Sequence, residues 1–416
     1  MRNTTVCGVT YCYDKKESHT FLVWILVPLL IVAAIIAGSA VEAVSGEYKL
    51  ISYGEGTVQT PRYRTLIGQT GWSSELSALS VGGTDRWSVI RSCPSRQEAI
   101  LGVVDANRHL NVQVWNGTGW SNAVELVNNF PNSDTRYFDI AYESQSGRAL
   151  VVYGRNGSKD PGYRIWDGSS WSAAGTITLP GGGNRPDYWI ALAPSPLDNQ
   201  IVMVCMNDDW ALYTSVWNGS SWGNSLGQFD WGKSIDYPCF DVCATGQSDL
   251  VLAAWRPEKG EALDYMTWDG TAWSPQMATG KLPANVDPKM VVMSSDPQSD
   301  RIMLGAGDTD GDLAVALWSG AGWSGFQKLA DLYRVAGKNR SWDVMFESQS
   351  GKAVLVYSND TSKNLRYRVY DGAWGSERIG PLLSGMINVL ELERDGPSNE
   401  ALLLCLEDNL RVESMS

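Results

Sequence analysis

Trp115-Asn116-Gly117-Thr118-Gly119-Trp120 recurs as Trp166-Asp167-Gly168-Ser169-Ser170-Trp171, Trp217-Asn218-Gly219-Ser220-Ser221-Trp222, Trp268-Asp269-Gly270-Thr271-Ala272-Trp273 and Trp318-Ser319-Gly320-Ala321-Gly322-Trp323. Worn copies flank these, Gly68-Gln69-Thr70-Gly71-Trp72 upstream and Tyr370-Asp371-Gly372-Ala373-Trp374 downstream. The closing Trp falls at 72, 120, 171, 222, 273, 323 and 374, a period of about 50 residues, which is the range of propeller blades. Asn-Gly and Asp-Gly tolerate the positive φ of tight turns and here sit between apolar runs, so each copy reads as a hairpin tip. Alternation along a strand then puts both Trp on one face. A Trp pair beside every turn reads as wedge packing between neighbouring sheets, and the functional alternative is a row of sugar-stacking platforms.

The rest of the unit is clearest from Phe138 to Trp171. Phe138-Asp139-Ile140-Ala141-Tyr142 is a strand, Ser144-Gln145-Ser146-Gly147 a turn, Ala149-Leu150-Val151-Val152-Tyr153 a second strand and Tyr163-Arg164-Ile165-Trp166 a third, with Trp171 opening the fourth. The pattern returns from Trp342 to Tyr370, and complete units begin near Trp87, Phe138, Trp189, Phe240, Met290 and Trp342. Four short antiparallel strands per repeat predict an all-β fold, a β-propeller. Leu50-Ile51-Ser52-Tyr53-Gly54 repeats the spacing of Leu150 to Gly154, so the chain enters partway through a blade. Ile387–Leu390 and Ala401–Cys405 supply two more strands, with Leu410-Arg411-Val412 the start of a third. Joining the two partial units in one blade gives seven blades with a surplus strand or hairpin; an eighth blade is the alternative.

The chain is ordinary in composition, 44% hydrophobic and 19% charged, with a net charge of −13 and a pI near 4.7. Such acidity argues against nucleic acid and anionic membrane surfaces as partners. Residues 1–20 are polar, and an uncharged apolar run from Phe21 to Gly38 follows. Its length approaches a bilayer span, so 21–43 is expected to be a signal peptide or an anchoring transmembrane helix, ahead of a single propeller domain at 47–416. Lys15 and Lys16 before the run, with Glu42 and Glu47 after it, favour an inside N-terminus and an exported, extracellular or cell-surface remainder. If uncleaved, residues 21–38 would make the membrane a partner. Seven Cys are scattered rather than spaced as a framework, and Cys239 and Cys243 lie about 13 Å apart along a strand, too far for a disulfide.

In a propeller, the loops entering the innermost strands gather at one mouth of the central channel. Here they hold Asp85, Arg86 and Trp87; Asp134, Arg136 and Tyr137; Arg185, Asp187 and Trp189; Asp236 and Tyr237; Asp287; and Arg340 and Trp342. An acid, a base and an aromatic recur. They read either as polar pockets for a sugar or as turn caps and ion pairs that stitch blades together. Asp139, Asp241 and Asp343 follow the first aromatic of alternate units, where they would surround the channel and either hold a Ca²⁺ ion or accept backbone hydrogen bonds from a neighbouring blade. Asp308-Thr309-Asp310-Gly311-Asp312 lacks the spacing of an EF-hand and reads as a solvated loop, so no cofactor is expected beyond the calcium alternative.

With His19 and His109 the only histidines, a His-rich zinc site is excluded and a Ser-His-Asp triad is not expected. No phosphate-binding Gly-rich loop or nucleophile elbow occurs. Asn116, Asn156 and Asn218 match glycosylation sequons that hairpin turns also explain.

The Trp-[Asp/Asn]-Gly-x-x-Trp turn resembles, in shortened form, the Asp-box of sialidase-like propellers, and the blade-by-blade aromatic and Arg pattern resembles fungal propeller lectins. The resemblance covers nearly all of 47–416 and implies the propeller fold; no catalytic residue is carried over by it. Repeat regularity without a singular catalytic constellation leads to a binding module for carbohydrate or protein. The alternatives are a glycan-active hydrolase or lyase and a pilin-like structural subunit built through the apolar run, in which Thr20 and Ile25 stand where the bacterial pilins have Gly and Glu.

Overall fold

The computed structural model describes residues 50–54, 58–67, 71–132, 135–181, 185, 187–232, 234, 236–258, 262–283, 286–332, 339–359, 363–382 and 387–394. The backbone of strands at 3–6, 9–12, 21–26, 30–36, 40–44, 335–336 and 401–407 is described as well. Asp134 lies outside the described residues.

Blade one shows how the unit is built. Its strands Asp85–Ser92, Ala99–Asp105, Leu110–Trp115 and Trp120–Val127 pair antiparallel in sequence order. Blades two to six repeat this order, starting from Phe138–Tyr142, Asp187–Pro194, Phe240–Ala244, Met290–Ser295 and Trp342–Phe346. A seventh sheet is Ala40–Val44, Leu50–Gly54 and Arg62–Ile67, with its outer position divided between Gly71–Trp72 and Leu76–Ser77. Each inner strand packs on the next around the ring.

The hairpin tips are as their sequence demands. Trp115 and Trp120, Trp217 and Trp222, and Trp318 and Trp323 are direct cross-strand partners, and Trp166–Trp171 and Trp268–Trp273 are paired in the same way. Gly168 takes φ +95° at such a tip, where an L side chain is strained, and Asp167 Oδ1 accepts the Ser169 and Ser170 amides, each at 2.8 Å. The first Trp of each of these pairs is buried and the second half-buried, which is the wedge reading. At every second interface a Tyr of the preceding blade completes it: Tyr63 meets Trp115 and Trp120 at 5.4 and 5.9 Å, Tyr163 meets Trp217 and Trp222, and Tyr265 meets Trp318 and Trp323. Such aromatic pairs add about 0.5–1.5 kcal/mol each beyond their buried area. At the intervening interfaces the Trp171 and Trp273 indoles donate instead to the carbonyls of Asn122 and Asn224 in the blade before. Blades therefore alternate between two kinds. Cys93, Cys205, Cys239 and Cys243 are free thiols.

Two expectations are corrected at the ring's closure. The partial units do not merge, because the N-terminal one has its own inner strand, Ala40–Val44, paired to Leu50–Gly54. The surplus hairpin Ile387–Arg394 and Ala401–Glu407 instead stands as a further sheet between blade six and Ala40–Val44. The apolar run is not helical: Phe21–Leu26 and Leu30–Ile36 form an antiparallel hairpin, and Leu30–Ile36 runs parallel to Ala401–Glu407. An apolar run's periodicity does not tell helix from strand, and the β-branched Val23, Ile25, Ile31, Val32, Ile35 and Ile36 suit a pleated sheet with an edge to pair. Among the described residues no helix is long and apolar enough to cross a membrane.

Candidate functional site

The inner strands present one unpaired edge to the channel, so their amides need partners from elsewhere. Asp139, Asp241 and Asp343 supply them. Each accepts the amide of its own successor through Oδ1 (Ile140 at 2.9 Å, Val242 at 2.8 Å, Val344 at 2.9 Å). Each also accepts the amide of the next blade's inner strand through Oδ2, from Leu192 at 3.0 Å, Met293 at 2.7 Å and Leu392 at 2.9 Å. Arg136 and Arg340 serve the carbonyl side, donating to Ile190 O at 3.1 Å and to Leu390 O at 3.4 Å. The acids are thus inter-blade ties rather than convergent ligands, and among the described residues no cluster of His, Cys, Asp or Glu is arranged to hold a metal. Asp308 also departs from the solvated loop expected for it. It is buried and caps its turn, accepting the Asp310 and Asp312 amides at 3.0 and 2.8 Å.

The mouth residues divide into several environments. Arg86 is exposed, and Trp87 meets Trp189 edge to face at 5.6 Å although their blades are not adjacent, so aromatic rings cover that side of the channel end. Tyr137 is buried, stacked on Phe130 at 4.4 Å and tilted against Tyr188 at 5.2 Å. Asp287 takes Arg256 at 2.8 Å and Lys289 at 2.9 Å. Asp236 is exposed and Tyr237 half-buried beside the core of blades five and six, which includes the fully buried Trp342.

Asp85 and Asp187 are buried at equivalent bulged positions opposite Asp105 and Asn207. Burial, then the neighbouring Asp105 charge, pushes Asp85 up to about 7, and burial holds Asp187 well above the carboxylate range. Asp241 is pushed up to about 6, again by burial. A raised folded-state value means that the native protein holds the proton more tightly than the unfolded chain, so this stability is full below about pH 4 and is lost as pH rises through about 6 to 7. Asp287 and Asp296 act the other way: burial opposes ionisation, but Lys289 and Arg256 for the first, and Ser299, the Gln298 amide and Arg301 for the second, outweigh it and lower both values. Their stability is lost as pH falls below about 4. Thermal midpoints are therefore expected to peak between about pH 4 and 6. Asp187→Asn should raise the midpoint at pH 8 more than at pH 5, and an equal change at both would refute this assignment.

Two residues that sequence reasoning passed over stand out on the same face. Trp210 and Trp231 are 39% and 47% exposed. Trp231 pairs with Ala211, and the Gly232 amide donates to Trp210 O at 2.7 Å, so both Trp lie at one end of blade three. Asn207 caps the turn there by accepting the Asp209 and Ala211 amides, each at 3.0 Å, and the turn needs a left-handed residue. Blade five uses Gly311 at that position, blade one uses Arg108, and blade three uses Trp210 at φ +67°. Placing a side chain there costs about 1–2 kcal/mol. Arg185 lies alongside, its Nε 3.1 Å from Asp209 and its Nη1 3.5 Å from Asp208. The signal was available in the sequence: both Trp lie outside the repeated Trp positions, and one takes the place of a glycine.

In fold the chain is similar to the BP39L lectin from Burkholderia pseudomallei, with a TM-score of 0.59 over 83% of this chain and 99% of that chain, at 14% identity. Slighter likenesses are to the Aleuria aurantia lectin (TM-score 0.43, 18% identity, 70% of this chain and 96% of that one) and to a PL25 ulvan lyase (TM-score 0.46, 12% identity, 87% and 92%). At these identities the likeness is one of fold. No family model and no curated protein matches the sequence.

Proposed function

We propose that this chain is an exported, lectin-like β-propeller that binds carbohydrate on the ledge formed by Trp210 and Trp231. The observation that carries this reading is an exposed Trp held in a backbone conformation that glycine would adopt at lower cost, beside a second exposed Trp and the Arg185, Asp208 and Asp209 group. Aromatic faces stack on the apolar face of a sugar ring, while guanidinium and carboxylate groups at the edge hydrogen-bond its hydroxyls. The fold shared with a Burkholderia lectin supports the same reading. Arg108 and Gly311 at the equivalent turns make blade three distinct, so binding at this ledge should be one site per chain. Export to the cell surface belongs to the proposal and rests on the nascent chain, in which the uncharged run from Phe21 to Gly38, with Lys15 and Lys16 before it, is read before it pairs as strands.

Trp210→Gly separates a ligand role from a structural one. It should stabilise the fold by about 1 kcal/mol and weaken binding to hits from a glycan array by about 10- to 30-fold. Binding unchanged in Trp210→Gly and in Trp231→Ala would refute the ledge. Labelling of intact expressing cells with an impermeant reagent checks export, and no labelling without lysis would overturn it.

A further inference from the structure

Arg108 of blade one and Trp210 of blade three occupy the same turn, between the second and third strands, and both are exposed with left-handed backbone, φ +69° and +67°. Gly311 takes that position in blade five, where no side chain is strained. The strained turn therefore occurs twice on one face of the propeller, once presenting a guanidinium and once an indole.

Between the two turns runs an unbroken series of contacts. The Phe130 amide donates to Arg108 O at 3.1 Å, and the Phe130 ring stacks on Tyr137, which meets Tyr188 at 5.2 Å. Tyr188 is the extra residue of a β-bulge, since Asp187 pairs with Asn207 and Trp189 with Met206 and nothing in that strand opposes Tyr188 itself. A bulge re-aims its side chain, and this one leaves the ring half-buried, packed against the cores on either side. Burial and then the Asp208 charge raise the Tyr188 phenol above its usual value, which places Asp208, two residues before Trp210, beside it. Arg108, Tyr188, Asp208, Trp210 and Trp231 thus follow one another across blades one to three.

The polar groups on this line have both kinds of hydrogen-bonding capacity. Arg108 Nη1 lies 3.4 Å from Pro131 O, a long contact for a guanidinium with five N–H groups. Asp208 Oδ1 is shielded from solvent and takes no hydrogen bond among the described residues, and Oδ2 is 3.5 Å from Arg185. A sugar hydroxyl donates and accepts, so it suits both ends. Arg108 and Arg185 stand against Asp208 and Asp209, so a polyanion meets two carboxylates and a polycation two guanidinium groups. An uncharged ligand meets neither penalty. A single sugar on the Trp ledge would leave Tyr188 and Arg108 untouched.

We infer that the ligand is an internal stretch of a linear, uncharged polysaccharide, which runs from Trp231 and Trp210 over Tyr188 to Arg108. This rests on the carbohydrate reading of the ledge and specifies its ligand.

Calorimetry on the full chain with matched disaccharides and hexasaccharides of the cello-, xylo-, manno-, malto- and chito-oligosaccharide series tests the inference. In at least one series the hexasaccharide should bind at least about 10-fold tighter than its disaccharide. Arg108→Gly and Tyr188→Ala should each bring the hexasaccharide back towards the disaccharide value while leaving the disaccharide unchanged. Arg108→Gly relaxes its turn, so its thermal midpoint should not fall, and lost affinity in that variant is not lost fold. Equal binding of the two lengths, with Trp210→Gly weakening both, would leave the ledge standing and overturn the inference. So would a length effect that survives both substitutions, which would come from sliding on the ledge alone, or binding confined to branched or acidic sugars of the glycan array. Silence of every series and of the array would remove the carbohydrate reading itself, and the inference with it.

Discussion

Replacing Asp139, Asp241 or Asp343 with Ala is expected to destabilise the propeller by about 2–5 kcal/mol, because each change strands two amides, one in its own strand and one in the next blade. For a protein of this size that corresponds to a fall of roughly 2–6 °C in thermal midpoint. Asn keeps one oxygen acceptor and should cost about half as much. The midpoint in urea, with its slope, is the measurement. A loss below about 0.5 kcal/mol for all three Ala variants would mean that channel water replaces the carboxylates, and the tie would not be structural.

Trp342→Ala should cost about 3–5 kcal/mol, the usual range for deleting a buried Trp. The ring is fully buried at the interface of blades five and six and lies over two glycines. A Cβ at Gly305 would come within 2.3 Å of Trp342 Cζ3, and one at Gly307 within 2.7 Å of Nε1. Gly305→Ala should therefore be destabilising by itself. Combined with Trp342→Leu it should cost less than the two single changes together, since the smaller side chain leaves room for the methyl. Additive costs would show that the two residues do not share the contact. Phe138 stands over Gly102 in the same way at the interface of blades one and two, where a Cβ would meet the ring at 2.4 Å.

The Trp repeats were legible because a hairpin turn is a local object: Gly168 and Asp167 specify its φ angles and hydrogen bonds from within four residues. The alternating acids were legible as a pattern, but not their partners, since Leu192, Met293 and Leu392 lie about 50 residues further on and become neighbours only when the ring forms. Trp210 and Trp231 were missed because a repeat analysis looks for what recurs, and the ledge is where blade three departs from its neighbours. The apolar run was misread as helix because continuous hydrophobicity carries no period, so pairing with Ala401–Glu407 at the other end of the chain is what makes it strand.

By itself, then, the sequence determined the strand units, their turns and the propeller class, all of which follow from short-range φ requirements and two-residue alternation. Only the tertiary structure decided how the ring closes, that the channel acids are spent on a neighbouring blade's amides, and which aromatics remain in solvent. Those properties depend on what each side chain meets across an interface, and the ring brings together residues that local sequence keeps apart.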